Sequence, residues 1–303
     1  MGHNLKPLNE QVIVITGASS GIGLATALLA AQQGAKLVLA ARSGETLDQL
    51  VQEIAADGGQ ALAVPCDVTD RTQLEALAHT AVERFGRIDT WINNAGIGMF
   101  GRLDETSEED ARRLFDVNFW SVVNGSLIAL PYLKYSGGAL INLGSEVSEA
   151  SVALQGMYGA TKHAVKGFND ALRIEVEEVD KAPVSITLIQ PQATDTPFPQ
   201  HARNYMDQEP KLPSPMIQPW QVAEAILKAA TDPARFVKVG PVSKMDTTLA
   251  KLMPALGDKM SALQAGRHQY DESPRNPEGA LYEASAATGV VGQTHGTGGR
   301  EES

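Results

Sequence analysis

The sequence predicts an α/β fold: a doubly wound parallel sheet of about seven strands, flanked by helices and followed by a C-terminal helical or irregular extension. Short β-branched runs alternate with longer helical patterns over residues 1–240. The strand segments are continuously apolar, which is typical of strands covered by helices on both faces. Because crossovers between parallel strands are right-handed, the helices are expected on both sides of the sheet.

The strands are predicted where Val, Ile, Leu and Ala run without charges between turn-forming residues. In chain order they are Gln11–Thr16, Lys36–Ala41, Ala61–Pro65, Ile88–Asn93, Ala139–Leu143, Val184–Ile189 and Phe236–Val239. Helices are predicted in the longer segments between them, several of which end at glycine. These helices are Gly23–Gln33, Glu45–Asp57, Thr72–Phe85, Ser107–Tyr135, Gln155–Val179 and Gln218–Ala230. Asp70 or Thr69 is expected to cap the third helix, and an interruption is expected in the fourth near Asp116–Asn118.

Two segments fall outside this alternation. Thr196–Ile217 is rich in proline and polar residues, and a loop of that length is usually functional, often a lid. Residues 241–303 are expected to be an extension to a catalytic domain over residues 1–240, with an extra amphipathic helix over Met245–Leu263 and a flexible tail. The apolar Pro277–Tyr282 stretch indicates either an anchor that crosses a subunit boundary or part of a disordered tail.

Composition excludes several classes of function. The chain has 303 residues, a formal net charge of −11 and a pI near 5.0, which argues against nucleic acid as a partner. No apolar run is long enough to cross a membrane, and no signal-type segment is present, so a cytoplasmic location is expected. The single cysteine, Cys66, rules out an intrachain disulfide and is expected to be a buried structural thiol. No metal site is expected.

A glycine-rich turn joins the first strand to the first helix over Thr16–Gly23. Glycine permits positive φ and lets the backbone approach a ligand closely, and the helix amino terminus offers N–H groups to an anion. Its position after the first strand favours a dinucleotide site, although a tight turn without a ligand is the alternative. The residues of the turn expected to contact the cofactor are Gly17, Ser19, Ser20, Gly21, Ile22 and Gly23.

Residues after the next strands indicate which dinucleotide binds. A carboxylate after the second strand would favour NAD(H), but Arg42 and Ser43 stand there, and a guanidinium can pair with a ribose 2′-phosphate. NADP(H) is therefore the preferred prediction, with NAD(H) as the less favoured one. Asp67, followed by Val68, either accepts from the adenine amino group or caps a helix. The small turn of Asn94, Ala95 and Gly96 fits against a cofactor, stabilises the central sheet, or does both.

Tyr158 and Lys162 are one helical turn apart on the fifth predicted helix and so share a face. A cation near a phenol favours the phenolate, so Lys162 is expected to lower the pKa of Tyr158 and to make it useful as a general acid or base. Ser145 follows a strand at the ligand end of the sheet and could hydrogen-bond a carbonyl oxygen; a turn or cap role is the alternative. Asn118 interrupts a helical pattern, which indicates a kink, an ordered water or a buried structural amide.

Together these residues resemble the short-chain dehydrogenase/reductase family over about residues 8–240. The resemblance rests on the spacing Thr-Gly-x-x-x-Gly-x-Gly, on Asn-Asn-Ala-Gly, and on Ser145 with Tyr158-x-x-x-Lys162. It implies a Rossmann-type fold and a tetrad in which Tyr158 is the general acid/base and Ser145 positions the carbonyl. In that tetrad Lys162 holds ribose hydroxyls and Asn118 anchors a water.

The resemblance also implies that Asn94, Ile189 and Thr196 line the cofactor, and that the chain forms a homodimer or homotetramer through the Asn118 and Tyr158 helices. The sequence departs from the family at Gln192, where glycine usually follows the proline, and in the length of the C-terminal extension.

The predicted function is NADP(H)-dependent interconversion of a small-molecule carbonyl and an alcohol. The alternatives are an NAD-dependent alcohol dehydrogenase, a catalytically silent dinucleotide-binding sensor or scaffold, and a sugar-nucleotide epimerase or dehydratase. Residues near the strand ends are candidates for the substrate pocket, and most are apolar. They are Met99, Phe100, Glu146, Leu154, Gln192 and Phe198.

Overall fold

A seven-stranded parallel sheet organises the part of the chain that the computed structural model describes, which is residues 5–241, 243, 255, 258–259, 261–262, 269–285 and 287–292. In chain order the strands are β1 (Val12–Thr16), β2 (Lys36–Ala41), β3 (Gln60–Pro65), β4 (Thr90–Asn93), β5 (Met99–Phe100), β6 (Ala139–Leu143), β7 (Ser185–Pro191), β8 (Arg203–Asn204) and β9 (Phe236–Val239). The main sheet has the order β3-β2-β1-β4-β6-β7-β9, and β5 pairs with β8 beside it. This order reverses direction between β1 and β4, which is the Rossmann-type arrangement predicted from the sequence.

Apart from α7, which lies in the segment predicted as a loop, the helices lie close to the predicted positions. They are α1 (Gly21–Gln32), α2 (Gly44–Ala56), α3 (Arg71–Phe85), α4 (Glu108–Phe115), α5 (Ser121–Ser136), α6 (Gly156–Arg173), α7 (Phe198–His201) and α8 (Pro219–Ala229). Asp70 caps α3, since its carboxylate accepts from the Thr72 amide at 2.8 Å. A π-helical turn over Asp116–Trp120 separates α4 from α5, which confirms the predicted interruption, and a second π-helical segment over Ile174–Val179 continues α6.

Alternate residues of each strand pack into two hydrophobic cores, one on each face of the sheet. Ile13 and Leu37 belong to the core that includes α1 and α8, whereas Val14 and Val38 belong to the core that includes α3 and α5. The two cores explain why the strands read as unbroken apolar runs. Cys66 lies in the second core, and burial raises the pKa of its thiol to about 12, as expected of a structural thiol.

A chain of buried side-chain hydrogen bonds crosses the sheet and reaches α6. Trp91 Nε1 donates to Asn93 Oδ1 at 2.8 Å, and Asn93 Nδ2 donates to Asn142 Oδ1 at 2.8 Å. Asn142 Nδ2 then donates to Asn169 Oδ1 at 3.0 Å. These bonds join β4, β6 and α6, and so they fix the helix that carries Tyr158 and Lys162 against the sheet.

The two segments outside the strand–helix alternation have more structure than the sequence indicated. Within Thr196–Ile217 the structure forms α7 and β8, and β8 pairs with β5 in the register Met99↔Arg203. Such short strands were not predicted, because they depend on pairing between distant parts of the chain. None of the described helices is both long and apolar enough to cross a membrane.

The described part of the C-terminal extension packs against its own chain. Ala280 and Leu281 are buried, and Leu281 belongs to a cluster with residues that surround Tyr158. The described contacts of the Pro277–Tyr282 stretch anchor it on its own chain, which neither of the two predicted alternatives included, and a contact across a subunit boundary stays a prediction. The helix expected over Met245–Leu263 lies largely outside the described residues, and the domain boundary near residue 240 stays a prediction.

Candidate active site

A cleft lies at the carboxyl edge of the sheet, where the loops after the central strands meet. Sheets of this topology bind ligands at that edge, close to the point where the strand order reverses. The predicted residues that line the cleft are Gly17, Ser19, Ser20, Gly21, Ile22, Gly23, Arg42, Ser43, Asp67, Val68, Asn94, Ala95, Gly96, Ser145, Glu146, Tyr158, Lys162, Gln192, Thr196 and Phe198. The structure thus brings together residues that follow each of the first six predicted strands, with Tyr158 and Lys162 from the fifth predicted helix.

The glycine turn has the backbone geometry that its sequence predicts. Gly17 and Gly21 have φ values of +67° and +52°, which side chains with a Cβ rarely adopt. A Cβ at Gly23 would collide with the carbonyl oxygen of Gly17, so α1 can approach β1 only with glycine there. The amide of Gly21, at the amino terminus of α1, donates to the Gly289 carbonyl at 2.9 Å. The turn is therefore shaped for an anion, with the C-terminal extension beside it.

Arg42 and Asp67 lie at the end of the cleft that is predicted to hold the adenosine. Arg42 Nη2 donates to the Ala280 carbonyl at 2.6 Å; burial lowers the Arg42 pKa, while the charge of Asp67 acts in the opposite direction. Asp67 accepts from Thr69 and from Arg113 Nη2, the latter at 3.0 Å. Burial acts to raise the pKa of Asp67, but these hydrogen bonds outweigh it and hold the pKa below its usual value. Asp70 and not Asp67 is the N-cap of α3, but Asp67 caps the turn before it through Thr69, and the adenine contact stays a prediction.

Tyr158 is buried at the wall of the cleft, in the first turns of α6. The ring of Phe198 from α7 packs edge-on against it with centroids 5.3 Å apart. Burial raises the pKa of the phenol, a hydrogen bond with Ser145 lowers it, and the charge of Glu146 raises it further. Ser145 also begins a short 3₁₀ turn, where its Oγ accepts from the Val147 amide at 3.3 Å. The turn role and the contact with the phenol therefore occur together.

Lys162 is only 5% exposed, and its ammonium group points towards the end of β6. Its Nζ donates to the Leu143 carbonyl at 2.9 Å and lies 5.8 Å from the centre of the Tyr158 ring. Burial lowers the pKa of Lys162 to about 8. The net lowering of the Tyr158 pKa that was predicted from Lys162 is wrong in direction, because burial of the phenol is the largest cause and raises that pKa.

Asn118 lies in the π-helical turn and is fully buried behind the cleft. Its Oδ1 accepts from the Ile97 amide at 2.8 Å, and its Nδ2 donates to the Ile97 carbonyl at 2.9 Å and to Thr161 Oγ1 at 3.1 Å. The side chain therefore joins the loop after β4 to α6. This is the buried structural amide that the sequence left as one of its alternatives; the anchored water stays a prediction.

Asn94 supports the glycine turn from the neighbouring strand end. Its Nδ2 donates to the Thr16 carbonyl at 2.9 Å and to the Gly17 carbonyl at 3.0 Å, and its amide donates to Thr16 Oγ1. Ala95 and Gly96 follow in the same turn, where a Cβ at Gly96 would lie 3.4 Å from Asn118 Oδ1. Both roles left open for this turn are thus compatible: it stabilises the sheet and faces the cleft.

Besides Asn118, four of the predicted residues do not line the cleft. Met99 and Phe100 are buried in β5, and Ile189 is buried in β7 within the main core. Leu154 has a φ of +66° in the loop before α6, and its carbonyl accepts from the Gly101 amide. These side chains contribute to core packing and to loop geometry. A position after the end of a strand does not distinguish such a role from contact with a substrate.

Gln192 lines the cleft, but its amide group is held by the chain. Its Nε2 donates to the Pro215 carbonyl at 2.8 Å, and a Cβ at Gly240 would collide with its Oε1. Gln192, which stands in place of the usual glycine, thus connects the loop after β7 to the segment beyond α7 and packs against the end of β9.

Several residues at the cleft were not predicted. They include His201 in α7, the apolar pair Leu212 and Pro213, Val147 and Val152 near Ser145, and four residues of the C-terminal extension, namely Ala280, Ala284, Ser285 and Ala287. The apolar and aromatic residues of the Pro277–Tyr282 stretch were the sequence signal for the extension, and they did not indicate contact with the cleft of the same chain.

The residues present fit a dinucleotide. Glycine backbone amides at the start of α1 suit a pyrophosphate, Arg42 and Ser43 suit a phosphorylated ribose, and Ser145 with Tyr158 suits a carbonyl oxygen. Within the described residues no group of three or more His, Cys, Asp or Glu side chains could hold a metal ion.

Comparison with known proteins identifies the family of this chain and supports its fold. The family model described as short chain dehydrogenase matches residues 11–207. The chain is 44% identical over 285 residues to the uncharacterized oxidoreductase YxnA of Bacillus subtilis, a match that covers 92% of this chain and 80% of the relative. It is 35% identical over 229 residues to an uncharacterized oxidoreductase of Staphylococcus saprophyticus, with 75% of this chain and 92% of the relative covered.

Solved structures resemble the fold over most of their lengths. A short-chain dehydrogenase/reductase from Burkholderia phymatum, in complex with NAD, matches with a TM-score of 0.75 at 27% identity, over 83% of this chain and 96% of that one. An alcohol dehydrogenase from the archaeon Thermococcus sibiricus, complexed with 5-hydroxy-NADP, matches with a TM-score of 0.66 at 30% identity, over 76% of this chain and 94% of that one.

Proposed function

Because this chain belongs to the short-chain dehydrogenase/reductase family and is an oxidoreductase, we propose that it interconverts a carbonyl and an alcohol with NADP(H). The observation that carries the proposal is the meeting of Ser145, Tyr158 and Lys162 in the cleft that also contains the glycine turn. The turn would hold the pyrophosphate, and Arg42 with Ser43 would hold the ribose 2′-phosphate. Lys162 would hold the ribose hydroxyls next to the reacting carbon.

When bound, the nicotinamide supplies or accepts the hydride. The protein supplies the proton and the geometry. Since burial raises the pKa of Tyr158, its phenol carries a proton at neutral pH and can donate it to the carbonyl oxygen. The Ser145 hydroxyl hydrogen-bonds the same oxygen as negative charge develops there, and the ammonium of Lys162 favours the phenolate that remains. In alcohol oxidation Tyr158 accepts the proton instead.

Apolar side chains around Ser145 and Tyr158 support a ketone or aldehyde of low polarity as the substrate. Val147, Val152 and Phe198 pack in the same cluster as Tyr158, and Leu212 and Pro213 also line the cleft. An apolar pocket binds such a substrate by removing its surface from water, and it leaves the carbonyl as the group that Ser145 and Tyr158 can bind.

A panel of ketones and aldehydes assayed with NADPH and with NADH tests the proposal. We expect turnover by the wild type and a loss of about 10²–10⁴-fold in kcat for Tyr158→Phe, because the proton donor is removed. NADPH binding, measured by fluorescence, is expected to persist in this variant. Tyr135→Phe, at an exposed tyrosine of α5, is the matched control. Nucleotide binding with no turnover of any substrate would favour the catalytically silent sensor or scaffold instead.

The preference for NADP(H) rests on Arg42, and NAD(H) is the alternative cofactor. Arg42→Ala is expected to lower kcat/KM for NADPH by about 10–100-fold, since a charge-assisted hydrogen bond contributes about 1.5–3 kcal/mol. Loss of the hydrogen bond to Ala280 would lower kcat/KM for both nucleotides alike. The ratio of kcat/KM for NADPH to kcat/KM for NADH therefore reports on the phosphate contact alone. An unchanged ratio, or a wild type that prefers NADH, contradicts the assignment; Arg84→Ala on exposed α3 is the control.

We also propose that the chain forms a homodimer or homotetramer through the helices of Asn118 and Tyr158. Large apolar side chains on the outer face of the π-helical turn and α5 support this proposal, since Trp120, Leu127 and Tyr135 are 52%, 44% and 90% exposed. Ile174, beyond the end of α6, is also exposed. The cytoplasmic location stays a prediction.

A further inference from the structure

The C-terminal extension runs alongside the cleft, and its contacts there are specific. We call residues 277–285 and 287–289 the C-terminal strap. The strap is fixed to the segment after α7 by backbone hydrogen bonds, from the Asn204 amide to the Pro277 carbonyl and from the Ala280 amide to the His201 carbonyl, both at 2.8 Å. Gly279 has a φ of +60°, and a Cβ there would collide with the carbonyl oxygens of His201 and Ala202. Glycine is thus required for this close approach.

Large side chains of the strap point away from the cleft and anchor it on α4. Leu281 is fully buried, and the Tyr282 hydroxyl donates a hydrogen bond to Asp110 Oδ1 at 2.8 Å. Arg113 Nε donates to the Leu281 carbonyl at 3.3 Å. These anchors place the strap next to the predicted adenosine end, since the same Arg113 also binds Asp67.

Asp110 is a shared anchor for the strap and the segment after α7. Its Oδ2 accepts from Arg203 Nε at 2.6 Å and from the Tyr205 hydroxyl at 2.7 Å, while its Oδ1 accepts from Tyr282. Burial acts to raise the pKa of Asp110, but the hydrogen bonds from Tyr205, Arg203 and Tyr282 outweigh it and keep the pKa below its usual value. The carboxylate is therefore charged at neutral pH and holds both segments on one helix.

The side of the strap that faces the cleft consists of small residues. Ala280, Ala284, Ser285 and Ala287 line the cleft, and their short side chains leave room in it. Backbone carbonyls of the strap bind the chain on either side of that space: Ala280 accepts from Arg42 at 2.6 Å, and Gly289 accepts from the Gly21 amide at 2.9 Å. Ala287 is also hydrogen-bonded to His201 Nε2, at 2.9 Å. The strap therefore runs along the cleft from Arg42 to Gly21 and forms one of its walls.

We propose that the C-terminal strap is a part of the nucleotide site, which closes over the adenosine half of the cofactor and limits the rate at which it leaves. The proposal rests on the proposed function, since it needs a dinucleotide in this cleft. The strap holds the Arg42 guanidinium through the Ala280 carbonyl and thereby presents its other N–H groups to the ribose phosphate. Release of the nucleotide requires the strap to separate from the glycine turn, where the Gly21–Gly289 hydrogen bond joins them.

Gly279→Ala tests the proposal, because the added methyl group forces the strap away from His201 and Ala202. Dissociation of NADPH is measured by stopped-flow fluorescence, and the equilibrium Kd by titration. We expect dissociation at least about 10-fold faster than in the wild type, with a matching rise in Kd. Gly86→Ala is the matched control, since Gly86 also has a positive φ, of +80°, but a Cβ there meets nothing within 4 Å.

Hydrogen–deuterium exchange provides a readout that is independent of turnover. In the wild type, NADP⁺ is expected to slow exchange of the strap amides, including that of Ala280, and this protection is expected to be lost in Gly279→Ala. Should Gly279→Ala fail to fold, Tyr282→Phe removes only the hydroxyl that binds Asp110, with Tyr135→Phe as its control, and is expected to give the same faster release.

Two outcomes overturn the proposal, and they differ from failure of the proposed function. Wild-type protein that binds NADPH, with an unchanged dissociation rate in both strap variants, shows that the strap is not part of the site. Equal exchange of the strap amides with and without NADP⁺ has the same meaning. A wild type that binds neither NADPH nor NADH overturns the proposed function and this proposal together.

Discussion

At the scale of single residues, burial decides the ionisation of the two groups at the centre of the site. Tyr158 has a raised pKa and Lys162 a lowered one, for the same physical reason: each loses water around its charged form. The pair therefore tends towards a neutral phenol and an amine whose pKa is about 8. In the proposed reduction, the carbonyl would meet a proton donor that is already protonated.

The buried amine predicts a pH-dependent stability. The pKa of Lys162 falls from 10.5 in the unfolded chain to about 8 in the folded one. Below pH 8 Lys162 is protonated in both the folded and the unfolded chain. Between pH 8 and pH 10.5 it is protonated only in the unfolded chain, so a rise in pH favours folding. Relative to Lys162→Met, the wild type should gain up to about 3 kcal/mol in its free energy of unfolding across this interval. Urea denaturation of both proteins from pH 7 to pH 10.5 measures the difference, and parallel pH profiles would contradict it.

The sequence predicted the residues whose roles follow from local spacing. Tyr158 and Lys162 share a helix face, and the glycines of the turn follow a strand, so short patterns suffice to find them. It could not indicate Asp110 or Arg113, because their partners, Tyr282 and Leu281, lie far away in the chain. The direction of the Tyr158 pKa shift was also missed, since burial is a property of the folded chain.

At the scale of secondary-structure elements, the π-helical turn between α4 and α5 supports the site from its buried side. It places the Asn118 side chain between the loop after β4 and α6, where it binds Ile97 and Thr161. The long helices and the main strands were predictable because their apolar periodicity spans many residues. The short elements β5, β8 and α7 depend on tertiary contacts, and their sequences carry no comparable pattern.

Replacement of Asn118 by alanine should destabilise the fold and impair the site. The variant leaves the buried amide and carbonyl of Ile97 without their side-chain partner, which costs about 3 kcal/mol in the free energy of unfolding. Urea denaturation measures this loss, and we expect turnover to fall as α6 loses its link to the cleft. Asn124→Ala, which removes an exposed contact with Arg71, is the control and should cost less than about 1 kcal/mol. Equal losses for the two variants would count against the special position of Asn118.

At the scale of the whole molecule, the face formed by the π-helical turn and α5 exposes large apolar side chains that the fold of a single chain does not explain. Trp120, Leu127 and Tyr135 recur along one side of that helix at helical spacing. The C-terminal strap, by contrast, lines the cleft from within the same chain. In our proposals the apolar face serves association and the strap serves the nucleotide.

Leu127→Arg is expected to dissociate the proposed oligomer, because it places a charge in the centre of the apolar stripe. Size-exclusion chromatography with light scattering would show a dimer or tetramer for the wild type and a smaller species for the variant. Leu103→Arg, at an exposed leucine outside this stripe, is the control and should leave the mass unchanged. A monomeric wild type would contradict the prediction.

The chain of hydrogen bonds from Trp91 through Asn93 and Asn142 to Asn169 has an evolutionary consequence. Each amide donates to the next, so each has one orientation and depends on its neighbours. A lineage that exchanges one of these asparagines for an apolar residue leaves the next amide buried without its partner. We therefore expect the three positions to be inherited as one unit, and to change together when they change at all.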